Sequence, residues 1–389
     1  MLALQLAFKN LIGAGLRTWL NVTVLSFAFV LMVFYNGMID GWNRQGRNDT
    51  QAWEIGQGQY WEHTYDRYDP YTIQDAHQPI SDEANDMIIK GELTPVLISQ
   101  ATIYPQGRVQ SVILKGIDPN QTILELPTAD LRNTQNGYSA IIGERMANDS
   151  KLKVGDNILV RWRDKNGMFD AMEIQIASIF KCDVPSVDKG QMYISLEVLR
   201  KMTNMQNEAT MLIAGKNSEL GPVEDWDFKT SDFLLAEFDA IIKSKKAGGM
   251  IMSGLLLVIA LLAIFDTQVL SIFRRQKEIG TYIALGMTRG QVVGIFTVEG
   301  GAHSILAAIL GAAYGIPLFL WLNSVGIPMG KENTDMGIAI SEIIYPYYSF
   351  GMLLSSFILV VISATIVSYM PARKISKMKP TDALKGKLQ

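Results

Sequence analysis

Four stretches of the chain run without Asp, Glu, Lys or Arg for longer than the roughly 18 residues that mark a membrane helix. Thr18 to Ile39 is uncharged over 22 positions, Ala247 to Phe265 over 19, Gly300 to Gly330 over 31 and Ile343 to Ala372 over 30. Pro317, Pro328, Pro346 and Pro371 punctuate the last two, so the helices there are expected to be shorter than the runs. Between the first and second stretches the pattern changes to short alternating segments of strand and helix. The pattern predicts four transmembrane helices, one before and three after a large mixed α/β extracytoplasmic domain.

The boundaries follow from this pattern. An N-terminal segment (1–17) precedes a first span (18–39), and the outer domain (40–246) follows it. A second span (247–273), a charged segment (274–290), a third span (291–323), a short outer loop (324–342), a fourth span (343–371) and a tail (372–389) complete the chain. The N-terminal segment crowds Leu2, Leu4, Leu6, Phe8, Leu11, Ile12 and Leu16. It reads either as a cytoplasmic helix or as one lying in the membrane interface. The first apolar run exceeds the 7–15 residues of a signal peptide, and Tyr35-Asn-Gly-Met38 offers no small-x-small cleavage site, so an uncleaved anchor is expected.

Charge sets the expected orientation. Lys9 and Arg17 precede the first span. Arg274, Arg275, Lys277 and Arg289 lie between the second and third, and Arg373, Lys374, Lys377, Lys379, Lys385 and Lys387 follow the fourth. Short basic loops stay on the cytoplasmic side. Both termini and segment 274–290 are therefore expected inside, and the long domain outside. Segment 274–290 is too short for a domain and reads as a platform carried by two membrane helices.

Within the outer domain, Leu93 to Ile103 and Val109 to Ile117 read as strands. Ala140 to Gly143 leads into a helix from Glu144 to Leu152. Val154-Gly-Asp156 is a turn before a strand over Asn157 to Arg163, and Lys165-Asn-Gly167 a hairpin turn before a returning strand, Met172 to Phe180. Ser195 to Met202 reads as a helix with a serine N-cap. The aromatics of residues 43–75 read as partial core, with a ligand surface as the other reading.

Composition agrees with one membrane part and one sizeable soluble part: 389 residues, 48% hydrophobic, mean hydropathy +0.14 and a formal charge of −3. Nothing in that balance points to nucleic acid. A single cysteine, Cys182, excludes an internal disulfide framework.

Candidate chemistry is sparse. Gly326 to Lys331 has the wrong glycine spacing for a phosphate-binding loop, and Glu332 stands where a Mg²⁺-holding Ser or Thr would be. No ATP hydrolysis is expected of this chain. His63, His77 and His303 have no ligand spacing, so no metal site is expected. Asp266 and Glu299 fall within membrane reach, where charge is costly. Bracing of the platform or helix packing is the ordinary reading, and proton transfer the sharper one. Gly311-x-x-x-Gly315 in the third span permits close helix approach, within one subunit or between two.

The segment Arg274-Arg-Gln-Lys-Glu-Ile-Gly280, followed by Ala284-Leu-Gly-Met287 and Glu299-Gly300, resembles the coupling region of MacB/FtsX-type ABC permeases. Pro371-Ala-Arg373 and Lys379-Pro-Thr-Asp-Ala-Leu384 resemble the usual end of that family. Lys115-Gly-Ile-Asp-Pro119, Ile142-Gly-Glu144 and Val154-Gly-Asp156 follow the order of the lipoprotein-releasing (LolC/LolE-type) permease subunits. A departure is Lys181-Cys-Asp-Val-Pro185, where a glycine-containing stretch is usual. The resemblance implies a bacterial inner-membrane permease, with its large domain periplasmic, that works by mechanotransmission. It implies two cytosolic ABC ATPase subunits that bind ATP and Mg, and no cofactor in this chain. It also implies a second permease copy or related permease, membrane lipid, a lipoprotein cargo and a periplasmic carrier. Arg274, Arg275, Lys277, Glu278, Ile279, Gly280, Leu285, Gly286 and Met287 would then form an ATPase-coupling helix. The same resemblance admits an FtsX-like relay that activates a cell-wall hydrolase, or MacB-like export of peptides or drugs.

Overall fold

The computed structural model describes residues 16–132, 138–216, 218, 220–329 and 341–374. The expected N-terminal helix up to residue 15, Lys331 and Glu332, and the tail motif Lys379 to Leu384 lie outside the described residues.

In chain order the elements are α1 (Leu16–Thr50), β1 (Gly58–Trp61), β2 (Gln78–Pro79), α2 (Asp82–Ile89), β3 (Leu93–Ile103), β4 (Gln110–Ile117), β5 (Ser139–Gly143) and α3 (Glu144–Ser150). There follow β6 (Asn157–Arg163), β7 (Phe169–Phe180), α4 (Pro185–Asp188), β8 (Gln191–Ser195), α5 (Leu196–Thr203), β9 (Glu208–Ala209), β10 (Met211–Ala214), β11 (Asp227–Thr230) and α6 (Ser231–Leu234). The chain ends in α7 (Ala236–Arg274), α8 (Gln276–Ala284), α9 (Arg289–Val325) and α10 (Phe350–Ala372). Contacts divide the chain into a helical unit (Met1–Trp42, Ile242–Ile327 and Ile344–Gln389) and an α/β unit (Asn43–Ile241 and Pro328–Ile343).

The α/β unit is organised by β3. Its residues 93–96 pair antiparallel with β10, and residues 101–103 pair with β6, while β4 runs along its other edge. The order β3-β4-β8-β5-β7-β6 returns to β3 and closes a six-stranded ring, with parallel pairs at β4–β8 and β5–β7. β6 alternates strictly. Ile158, Val160 and Trp162 point inward, and Asn157, Leu159, Arg161 and Arg163 outward. The ring encloses one core, with Leu97, Ile103, Leu114, Ile142, Met146, Trp162 and Ile174 among its members. A second core, around Tyr60, Leu93, Leu212 and Trp226, packs where β11, β1, β10 and the start of β3 align. Closure leaves the ring without free edges to template aggregation.

Several local expectations meet their structural reasons here. Gly155 (φ +92°) and Gly167 (φ +86°) occupy the left-handed turn positions that bracket β6. Asp164 accepts from the Asn166 and Met168 amides and fixes the hairpin. Ser195 stands at the N-cap of α5, but its hydroxyl makes no capping bond there, so that part of the expectation is corrected. The aromatics of 43–75 divide. Tyr60 and Trp61 are buried and Trp53 stacks on Phe180 at 5.7 Å, whereas Tyr68 and Tyr71 are exposed.

In the helical unit four helices, Thr18–Ile55, Ala236–Arg274, Arg289–Val325 and Phe350–Ala372, are long and apolar enough to cross a membrane by length and composition. The first continues well past Ile39, ending in a π-helical turn over Gln51–Ile55. Nor does Pro317 break the third apolar run, because it lies within α9, which continues to Val325. An apolar environment and a neighbouring helix are where such interior prolines are tolerated. Val22, Leu25, Met32, Leu257, Leu261, Ile264, Ala307, Val360 and Ala364 form the shared core. Met250, Ile251, Leu255, Ile259 and Leu262 expose an apolar face of α7 that water would not tolerate at this size.

Candidate functional site

The platform is built from two consecutive helix caps. α8 ends at Ala284 with Leu285 as its C-cap, and Gly286 follows at φ +97°, a value that strains any residue with a Cβ. The Gly286 amide donates to the Ile283 carbonyl at 3.1 Å, and the Met287 amide to the Tyr282 carbonyl at 3.1 Å. Those paired bonds are the Schellman arrangement, and Met287 supplies the apolar contact that accompanies it by packing with Ile279, Val292 and Phe296. Thr288 then caps α9. Its hydroxyl accepts from the Gln291 amide, and the Gln291 side chain accepts from the Thr288 amide at 2.8 Å. Gly286 and Met287 thus close α8, and Thr288 with Gln291 opens α9.

Arg275 holds this turn to the helix behind it. It sits at the joint between α7 and α8, outside helical geometry in φ/ψ (−100°, 16°). Its Nε donates to Glu278 Oε2 at 2.6 Å, and its Nη1 to both carboxylate oxygens of Glu299, at 3.0 and 2.9 Å. The guanidinium also stacks over Phe296, 4.8 Å from the ring centre. Glu299 is 6% exposed, so its charge would be costly without that partner.

Of the residues singled out in sequence, the structure thus brings together Arg275, Glu278, Ile279, Met287 and Glu299. Ile279 and Gly280 are buried against the helices. Arg274, Lys277, Glu278, Leu285 and Gly286 face outward, and Leu285 is 78% exposed. Asp266 parts company with Glu299: it lies exposed on α7. Gly311 and Gly315 meet Val30 of α1, so their small size serves packing within this chain.

Five participants were not singled out as site residues. Phe296 carries no motif. The Thr288-x-x-Gln291 capping box was legible in principle. Gln268 and His303 are 2% and 4% exposed and approach Glu299 from α7 and α9. Gly300 makes this possible, since a Cβ there would collide with Ser368 and crowd Gln268. Among the described residues no cluster of His, Cys, Asp and Glu suits a metal.

Comparison with known families bears on the segment that holds this turn. Residues 250–380 match the FtsX-like permease C-terminal family model. The chain carries an FtsX-like permease domain, and its homologues are ABC transporter permeases. An ABC transporter permease of Methanocaldococcus jannaschii is 24% identical over 268 residues, covering 64% of this chain and 62% of its own. The lipoprotein-releasing system transmembrane protein LolC of Xylella fastidiosa is 20% identical, covering 75% of this chain and 76% of its own. The macrolide export ATP-binding/permease protein MacB of Burkholderia lata is 26% identical over 39% of this chain and 21% of its own length. The chain therefore spans about three fifths of the first of these relatives and about a fifth of MacB.

Proposed function

We propose that this chain is the permease subunit of an ATP-driven transporter that releases lipid-anchored proteins from the inner membrane to a periplasmic carrier. Two cytosolic ATPase subunits would dock on the turn at Leu285, with their ATP and Mg, and a second permease would complete the complex. The observation that carries the reading is the match to LolC, which runs through three quarters of both chains, outer domain included. MacB is matched over only 39% of this chain.

The physical logic supports an external energy source. Each acyl CH₂ buried in the bilayer holds cargo by about 0.8 kcal/mol, so extraction of several chains needs coupled work. Nucleotide-driven closure of the ATPase pair would push on a turn fixed to α9 by Arg275 and Glu299. Because the turn is capped at both ends, it would move as a rigid lever.

Reconstitution with the cognate ATPase tests this. A labelled lipoprotein should leave liposomes only when ATP and an acceptor protein are both present. Release that never occurs, together with activation of a cell-wall hydrolase on contact, would replace cargo transfer with an FtsX-like relay. Export of a macrolide or peptide instead would point to a MacB-like exporter.

A further inference from the structure

A cavity of about 670 Å³ opens on the outer face of the strand ring, with Gln74, Gln100, Thr102, Ser111, Arg161 and Arg163 in its lining. Strand register sets its floor. Thr102 of β3 pairs with Arg161 of β6 on one side and with Ser111 of β4 on the other, so the three stand in one row across three strands. Residues directly opposite share a face of the sheet. Their chain neighbours Ala101, Val112 and Trp162 belong to the ring core, so this row points away from it. Arg163, two residues beyond Arg161, falls on the same outward face.

The charge in this cavity is one-sided. Two guanidinium groups line it, and among the described residues no Asp or Glu does. Nor, among the described residues, does either arginine form an ion pair or a hydrogen bond, and the Thr102 and Ser111 hydroxyls form none. Both arginines are nonetheless seated. The Arg161 guanidinium lies 4.3 Å over the Phe169 ring, a contact that uses its flat face and leaves its N–H edges free. Arg163 lies against the hairpin turn, where a Cβ on Gly167 would come within 2.9 Å of its Nη2. The loop that supplies Pro70 and Gln74 is tied down as well. Gln100 Nε2 donates to the Pro70 carbonyl at 2.6 Å, and Gln74 Nε2 to the Asp164 carbonyl at 3.2 Å.

We propose that this cavity binds the phosphate monoester of a small organic molecule. A monoester carries close to two negative charges at neutral pH and offers three strong acceptor oxygens. That matches two unpaired guanidinium groups with two free hydroxyls beside them. A carboxylate carries one charge and is satisfied by a single guanidinium fork, which leaves the second arginine unmatched. The volume is that of sites for small organic ligands, so the phosphate comes with an organic body. Pro70 and Phe169, which also line the cavity, give that body an apolar surface. The site is independent of what the chain transports.

The test is calorimetric titration of the full-length protein in phosphatidylcholine nanodiscs with glucose 6-phosphate, glucuronate and glucose, which share a sugar body and differ in charge. Glucose 6-phosphate should bind at least about tenfold more tightly than glucuronate, and glucose should not bind. Arg161→Met and Arg163→Met should each weaken glucose 6-phosphate about tenfold, and Ser111→Ala about threefold. Failure of glucose 6-phosphate to bind the wild type, or equal affinity for it and glucuronate, would overturn the proposal whether or not the variants fold. Undiminished binding by the double variant Arg161→Met with Arg163→Met would overturn it as well. Vesicles of phosphatidylcholine holding phosphatidic acid present the same monoester on a lipid. Displacement of the sugar phosphate by them assigns the ligand to a lipid headgroup, and failure to displace it assigns the ligand to a soluble phosphate; either result keeps the site.

Discussion

Arg275 and Glu299, 24 residues apart in sequence, meet through a single guanidinium nitrogen that donates to both carboxylate oxygens at 3.0 and 2.9 Å. One residue stands at the joint of α7 and α8, the other a few turns into α9. The contact therefore fixes the angle at which α8 leaves the membrane helices, and with it the position of Leu285.

Removing one member should destabilise the helical unit more than removing both. Arg275→Ala leaves the Glu299 carboxylate buried and unpaired, a loss on the order of 3 kcal/mol. The double replacement Arg275→Met with Glu299→Leu should recover most of that. Thermal unfolding in detergent measures the global effect, and hydrogen exchange over α8 the local one. Equal losses in the single and double variants would mean that the pair is not the brace.

The exposed leucine is a separate matter from the cap beneath it. Leu285→Asp alters a side chain that is 78% exposed, so stability should move by no more than about 0.5 kcal/mol. If the ATPase docks there, its affinity should fall at least tenfold, the effect of a central interface residue. Gly286→Ala should behave in the opposite way. It strains a φ of +97° and costs about 1 kcal/mol of stability, without placing a charge in the interface. Pull-down affinity and melting temperature of the two variants separate the roles, and unchanged binding by Leu285→Asp would move the docking surface elsewhere.

Cys182 should be silent in the folded protein. It is 4% exposed, and burial is the main reason that its thiol is pushed up to about 12. Since the thiolate is the reactive species, a maleimide at neutral pH should leave the native protein unlabelled and modify it fully in denaturant. Rapid native labelling would show that the segment after β7 opens.

The spans and most strands of the ring were legible for a common reason. Each rests on local chemistry: an uncharged run, a two-residue alternation such as Ile158-x-Val160-x-Trp162, or a glycine or proline at a turn. What escaped the sequence was long-range. Nothing local to β3 says that it pairs with β10 at one end and β6 at the other. Equally, nothing local to Glu299 distinguishes it from Asp266, since both are acidic residues near the end of an apolar run. Only the fold brings Arg275 to one and leaves the other exposed. Gly286 stood in the sequence only as a member of the coupling segment, and the positive φ of the helix cap is what requires a glycine there.

Asp188 should make the α/β unit less stable as pH rises. Its carboxyl is 2% exposed and is pushed up from 3.8 to about 6, by burial first, against the opposing pull of the Arg145 amide and guanidinium. The folded state thus holds the proton more tightly than the unfolded chain. The stabilisation is full below about 3.8, is lost as pH rises through about 6, and is absent above it. Holding the proton that much more tightly is worth about 3 kcal/mol. Because Asp188 accepts from the Arg145 amide in the first turn of α3, the loss should be felt there first. Hydrogen exchange over residues 144–150, corrected for intrinsic rates, should show an opening free energy that declines between pH 4 and 6, and Asp188→Asn should flatten the decline. A slope that persists in that variant would place the responsible proton on another group.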